Sequence, residues 1–301
     1  MTGNHKDTSI TRRRALAVTG GTVAAGGLAM TSREDEASAR AAVTALTDQL
    51  ALTGKPGLPG PSHREHNALR WSAKALAPGL AAMSAAARRT GEPTPALRAE
   101  LGATGRGTEH SVGLAGGGHR GALWTLGLLV AGAALDPRDP TAMAKRIAAH
   151  PDKGAPRRPS RGSSMSAKYG AAGARGEARA GFPHVRRALS ALATSRASNI
   201  PEPQCRLNAL LTIMSTLQDT ELLYTAGPIG LRHVQAAARG VLDAGGTETA
   251  EGAEALAALD TDLRTRAWSP RGSAGLLAGA LFLDPLPVVA YAGAGAGTGA
   301  T

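Results

Sequence analysis

Cysteine is almost absent: Cys205 is the only one in 301 residues. No intramolecular disulfide can form, which fits a reducing compartment. Cys205 precedes an apolar run and no histidine pattern accompanies it, so it reads as a packing or surface residue rather than a nucleophile. Aromatic residues are scarce at 3%, with three Trp, three Tyr and two Phe. Nucleic-acid binders gather their basic residues in a patch and add stacking aromatics; here the arginines are spread along the chain. No segment alternates β-branched residues, so few if any strands are expected. The weakly apolar stretch from Val18 to Met30 is too short to span a membrane. Cys-rich zinc spacing, a Walker A loop, a nucleophile elbow and His-Glu-x-x-His are all missing. The run from Gly113 to Gly118 is Gly-rich but follows no strand, which speaks against a dinucleotide fold. No repeat at a solenoid period is found.

What is present is alanine and positive charge. The chain is 43% hydrophobic, and much of that fraction is alanine. Alanine is the best helix former, and its small side chain lets helices pack closely. The expectation is an all-α fold: one compact multi-helix domain. The net charge of +11 attracts polyanions: nucleic acid, an anionic membrane or nucleotide phosphates. A solvated basic surface and a polyphosphate pocket both satisfy that composition.

Residues 1–38 read as an extension, expected to be disordered. Thr11-Arg12-Arg13-Arg14-Ala15-Leu16, the soft apolar stretch and Ala37-Ser38-Ala39 resemble a twin-arginine export signal. From residue 39 the pattern turns helical, with Ala42, Leu46 and Leu50 on one face. The segment Gly54 to Pro61 breaks it with three prolines and three glycines. Helical patterns follow at 67–89, with a break at Pro78, then at 96–101, 121–135 and 141–150. Residues 151–164 read as a basic flexible loop. Further helices are expected near 183–195, 204–218, 229–244, 249–266 and 272–283. The domain is placed at 39–287. The tail 288–301 is low in complexity and expected to be disordered.

Five short segments then stand in a telling order. They are Leu52-Thr53-Gly54-Lys55-Pro56-Gly57-Leu58 with His63-Arg64-Glu65 after it, and Gly117-Gly118-His119-Arg120-Gly121-Ala122. Next come Tyr169-Gly170-Ala171-Ala172-Gly173-Ala174-Arg175-Gly176-Glu177-Ala178 with Gly181-Phe182-Pro183, then Gln218-Asp219-Thr220-Glu221-Leu222-Leu223. The last is Ser269-Pro270-Arg271-Gly272-Ser273-Ala274. In order and spacing they resemble the triphosphoribosyl-dephospho-CoA synthase family. The resemblance covers the chain from about 40 to 286. It implies an all-helical fold and a cytoplasmic location, despite the twin-arginine-like start. It also implies a transferase with ATP and 3′-dephospho-CoA as substrates. In that reaction a ribose hydroxyl of dephospho-CoA displaces adenine from ATP and the triphosphate stays on the transferred ribose. The product would serve the acyl carrier protein of malonate decarboxylase or citrate lyase.

The resemblance also nominates residues. Lys55, Arg120 and Arg175 are candidate phosphate holders, with Gly118 and Ser273 as further substrate-binding positions. Glu65, Glu177 and Asp219 are candidate Mg²⁺ ligands. Glu177, Asp219 or His119 is the candidate general base, and the choice stays open. The glycines around Arg175 and Glu177 predict a tight irregular turn in which both side chains converge on one ligand. Gly57, Gly118 and Gly173 are expected to let backbone approach the nucleotide. Each charged residue also has a plainer reading as a surface charge, a local pair or a helix-end residue. The chain departs from the family pattern at polar positions: Gly117-Gly118 replace Asn-Thr, Tyr224-Thr225 replace His-Arg, and Gly275 stands for Asp. The competing readings are a non-catalytic nucleotide-binding relative and a basic nucleic-acid or membrane-surface protein. Neither a nucleic-acid nor a membrane partner is expected.

Overall fold

The computed structural model describes residues 30–286 except 62, 115–117 and 157. The twin-arginine-like segment and the low-complexity tail lie outside the described residues. Thirteen α-helices and no strand are found among the described residues. No described helix is long and apolar enough to cross a membrane.

Helix α1 (Arg33–Ala51) begins ahead of the expected start at residue 39. Local chemistry explains the earlier start. Ser32 accepts from the Asp35 N–H at 3.2 Å while Asp35 accepts from the Ser32 N–H at 2.9 Å, a reciprocal cap. Glu34, Asp35 and Glu36 add negative charge to the first turn, where the helix dipole is positive. Arg88 reaches across to Asp35 and Glu34. Ala37-Ser38-Ala39 therefore lies inside a helix, with Ala39 buried. Helix α2 (Arg64–Lys74) and α3 (Ala77–Thr90) follow, and Pro78 sits in the first turn of α3, where a missing N–H costs nothing.

Helix α4 (Pro95–Leu114) runs well past the expected end at 101, through four interior glycines. Such glycines weaken a helix by about 0.5–1 kcal/mol each relative to alanine, so tertiary contacts must hold it. Helix α5 (Arg120–Leu135) and α13 (Arg271–Leu283) are almost wholly apolar and form the heart of the core. Gly279 lets them close on each other: a Cβ there would stand 2.8 Å from Thr125 Cγ2. Around this pair lie α1, α3, α6 (Pro140–Ala149), α9 (Pro183–Ala197) and α10 (Glu202–Met214).

Two further differences shape the site. The loop expected over 151–164 ends early, because Ser160 caps α7 (Arg161–Tyr169) and Ser163 returns the bond. The irregular turn expected around Arg175 is instead a short helix, α8 (Gly173–Arg179), with Gly170, Gly173 and Gly181 at positive φ bounding it. Helix α11 (Thr220–Asp243) breaks at Gly227 (φ 66°), just before Pro228, so the segment expected at 229–244 is its second half. Helix α12 (Ala250–Thr265) packs on it.

Candidate active site

A cleft of about 1290 Å³ opens where four helices begin. The first turns of α5, α7, α11 and α13 all line it. Each presents N–H groups that its own helix cannot satisfy, together with the positive end of the dipole. The starts of α5 and α13 have no side-chain cap from their own N-cap residue. A cleft ringed this way favours an anion before any side chain is counted.

Lys55, Gly118, His119, Arg120, Arg175 and Asp219 all line this cleft. Lys55 is 2% exposed, and its Nζ donates to the Gln49 and Leu50 carbonyls at 2.6 and 2.7 Å. It thereby closes the C-terminal end of α1, where a cation is favoured. An ammonium has three donors, so one is left for a ligand. Burial pulls the Lys55 pKa down to about 8. Gly118 has φ 105°, a left-handed conformation, and a Cβ there would press on Leu69 at 3.0 Å.

His119 is 5% exposed, with Nε2 2.7 Å from the Leu69 carbonyl. A carbonyl only accepts, so Nε2 carries the proton and Nδ1 is the basic nitrogen of the neutral ring. Burial pushes its pKa below the ordinary histidine value, the Leu69 carbonyl pulls it back, and the Arg271 guanidinium lowers it again.

Asp219 binds two helix starts together. Its Oδ1 accepts from the Glu221 N–H at 3.0 Å, capping α11. Its Oδ2 accepts from the Ser273 N–H at 2.9 Å and the Ser273 hydroxyl at 3.1 Å, capping α13 from outside. Gly272 makes room, since a Cβ there would sit 2.9 Å from the carboxyl group. Burial raises the Asp219 pKa, against the pull of those hydrogen bonds. Ser273 is fully buried and faces Asp219 rather than the cleft.

The remaining nominated residues are placed elsewhere. Glu177 is buried outside the cleft and accepts from the His184 N–H and from His184 Nδ1, both at 2.8 Å. Residues two apart on a helix point about 200° away from each other, so α8 sends Arg175 to the cleft and Glu177 behind it. The expected convergence of the two is thus corrected. Glu65 is exposed, 3.8 Å from Arg271. Gly57 packs on α12 and donates to Asp260 at 2.8 Å, away from the cleft. Glu65, Glu177 and Asp219 do not come together, and no group of three metal-ligating side chains exists among the described residues. With the Asp219 oxygens already engaged, these side chains do not build a resident Mg²⁺ site.

The fold adds lining residues that the sequence did not single out. Arg161 pairs with Glu221 at 2.9 Å, and Glu109 pairs with the nominated Arg120 at 2.8 Å. Arg271 of the fifth segment also lines the cleft. From α4 come Arg98 and Arg106, and from the loop after α6 comes Asp152. Only the buried half of α4 carried a readable signal.

Comparison with known proteins supplies the family. The model of the ATP:dephospho-CoA triphosphoribosyl transferase family matches residues 35–292. A probable 2-(5''-triphosphoribosyl)-3'-dephosphocoenzyme-A synthase of Pseudomonas aeruginosa is 43% identical over 285 residues, 89% of this chain and 97% of its own length. Its namesake in Pseudomonas fluorescens is 43% identical over 258 residues, 81% of this chain and 89% of its own length. That of Azotobacter vinelandii is 42% identical over 261 residues, again 81% and 89%. No solved structure matches the chain. The chain belongs to the ATP:dephospho-CoA triphosphoribosyl transferase family, a family of transferases.

Proposed function

We propose that this chain moves the triphosphoribosyl group of ATP onto 3′-dephospho-CoA and releases adenine. The observation that carries the reading is the convergence of four helix starts and Lys55 on one cleft large enough for two nucleotides. In this reading the triphosphate lies against the start of α5, which carries no side-chain cap, with Lys55 and Arg120 beside it. Mg²⁺ arrives on the triphosphate as part of the substrate, since that ion usually keeps water and phosphate oxygens around it.

The step is a displacement at the anomeric carbon. A ribose hydroxyl oxygen of dephospho-CoA forms the new C–O bond as the C–N bond to adenine breaks. The bonding pair leaves with adenine, which takes up a proton. The hydroxyl proton passes to a base, and His119 Nδ1 suits that role: its ring is held by Leu69 and kept neutral by burial. Asp219 suits positioning better than proton transfer, because both of its oxygens are engaged. Fixed helix starts and guanidinium groups hold the phosphates still while charge develops at the sugar.

The product is read as the prosthetic-group precursor for the acyl carrier protein of malonate decarboxylase, or of citrate lyase. Both substrates are cytoplasmic metabolites, which supports a cytoplasmic location. Cleavage after Ala39 would also cut into α1. Mass spectrometry of the mature N-terminus tests that point, and a chain starting near Arg40 would overturn it. For the reaction itself, the folded protein is incubated with ATP, Mg²⁺ and dephospho-CoA. Adenine release is expected, and its absence at high protein concentration overturns the proposal.

A further inference from the structure

Beside the helix starts, the cleft carries a second concentration of charge, built differently from them. Arg98 and Arg106 of α4 share one carboxylate: Asp152 Oδ2 lies 3.5 Å from Arg98 and 2.7 Å from Arg106. Asp152 Oδ1 accepts from the Gly154 N–H at 3.0 Å, which fixes the carboxylate. The Arg98 side chain is only 6% exposed, yet it lines the cleft. Its guanidinium lies 4.9 Å from the centre of the Trp124 ring, a cation–π contact. The Trp124 Nε1–H donates to the Ala174 carbonyl at 3.0 Å and pins the first turn of α8, where Arg175 stands, to the same place.

Two features show that this region is shaped rather than incidental. Helix α4 turns glycines to the cleft, Gly102 and Gly105. A Cβ at Gly102 would meet Asp152 Oδ2 at 2.2 Å, so only glycine leaves the carboxylate its seat. The charge is also unbalanced. Arg98 and Arg106 share the single Asp152, and Arg175 and Arg179 stand near Arg98, so positive charge is in excess in a partly buried place. Burial lowers the Arg98 pKa, Asp152 opposes this, and Arg175, Arg106 and Arg179 add to the lowering. The guanidinium stays charged regardless, so a desolvated cation with cationic neighbours awaits an anion.

We propose that Arg98, Arg106 and Arg175, arranged on Asp152 and Trp124, form a second oligophosphate subsite that takes the diphosphate bridge of the acceptor nucleotide. A dephospho-CoA diphosphate carries two negative charges and would offset part of that excess. The triphosphate carries more and is assigned to the helix starts. The inference rests on the transferase reading for the identity of its ligand, not for the existence of the subsite.

The test is calorimetry on the full chain and on the variant R106Q, whose side chain is one-third exposed. Each protein is titrated with ATP, dephospho-CoA and inorganic pyrophosphate. R106Q should weaken dephospho-CoA and pyrophosphate roughly tenfold or more, leave ATP within about twofold, and keep the parent melting temperature. R106K should recover part of the loss, as a point charge replaces a fork. If R106Q weakens ATP selectively, or changes neither nucleotide, the subsite is misassigned. If the parent chain binds neither nucleotide yet R106Q still loses pyrophosphate, the subsite stands and the transferase reading falls.

Discussion

The cleft obtains positive potential from two regions by different means. In one it comes from backbone: α5, α11 and α13 begin there, and Asp219 fixes two of those starts in register. In the other it comes from side chains: Arg98 and Arg106 on Asp152, with Arg175 near Arg98. Backbone charge cannot be titrated or deleted at one position; it is lost only when a helix moves. Guanidinium charge can be removed one group at a time and weakens with salt. A transferase needs rigidity where the reacting groups meet, and fixed helix starts suit that need.

The sharpest way to break this contrast is at Asp219. D219A removes the acceptor for the Glu221 N–H, the Ser273 N–H and the Ser273 hydroxyl at one stroke. Loss of a cap and orphaned buried donors together should cost about 3 kcal/mol of stability. Displaced helix starts should lower adenine release roughly a hundredfold or more. D219N keeps one acceptor and should fall between. Denaturant unfolding and adenine release, measured on the same samples, decide it. Loss of turnover with full stability would make Asp219 a catalytic group and not a clamp.

Lys55 offers a finer cut, because it is a buried titratable cation that lines the cleft. K55M should weaken ATP roughly tenfold or more, the usual loss for a charged hydrogen bond. The pH dependence carries a sign that a surface lysine would not show. With a folded pKa of about 8 against an ordinary 10.5, the folded chain binds fewer protons than the unfolded chain between those values. The Lys55 contribution to stability therefore rises with pH across that window. ATP affinity should move the other way, falling above about pH 8 as the ammonium is lost. Calorimetry and thermal unfolding from pH 7 to 10 would show opposite trends in the parent and neither trend in K55M. Parallel trends would remove Lys55 from the phosphate site.

His119 predicts a third profile. Burial and Arg271 lower its pKa, so turnover should persist below the ordinary histidine value before it falls with acid. H119Q should slow adenine release about a hundredfold, within the range for a lost general base, and leave ATP binding intact. An acid limb unchanged in H119Q would assign the proton to another group.

The same contrast explains what could be read from the sequence. Helices α5 and α13 were legible because their apolar residues run together. Half of α4 was not, because glycines at 102, 105, 107 and 113 imitate a loop. The packing that overrides them is long-range: Gly105 faces Met83, and Gly102 faces Asp152. Helix α7 was hidden in a basic, Ser-rich stretch whose Ser160 is a cap rather than a linker residue. In the site, Lys55, His119, Arg120, Arg175 and Asp219 come from four distant segments and meet on the cleft. The ordered motifs made them candidates, but only the fold separates Asp219, which touches the cleft, from Ser273, which touches Asp219. Arg98, Arg106 and Asp152 belong to no motif. Their significance is created by proximity, which periodicity does not encode.

Glu177 gives the smallest expected effect and a sensitive check on that separation. Its carboxylate joins the end of α8 to the start of α9, where Phe182 holds an uncommon positive φ of 55°. E177Q keeps one oxygen for the His184 N–H. It places an amide against Nδ1, which the ring can meet by moving its proton to Nε2, an atom buried without a partner. The exchange should cost about 1 kcal/mol of stability, the scale of one hydrogen bond. Because Glu177 stands behind the cleft, KM for both nucleotides and the pH profile of turnover should stay within about twofold of the parent. E177A should lose more stability, as the α9 start loses its acceptor, and still retain the parent pH profile. If E177Q instead stops turnover while unfolding at the parent temperature, Glu177 acts on the substrate. The boundary between the cleft and its supports would then have to be redrawn through α8.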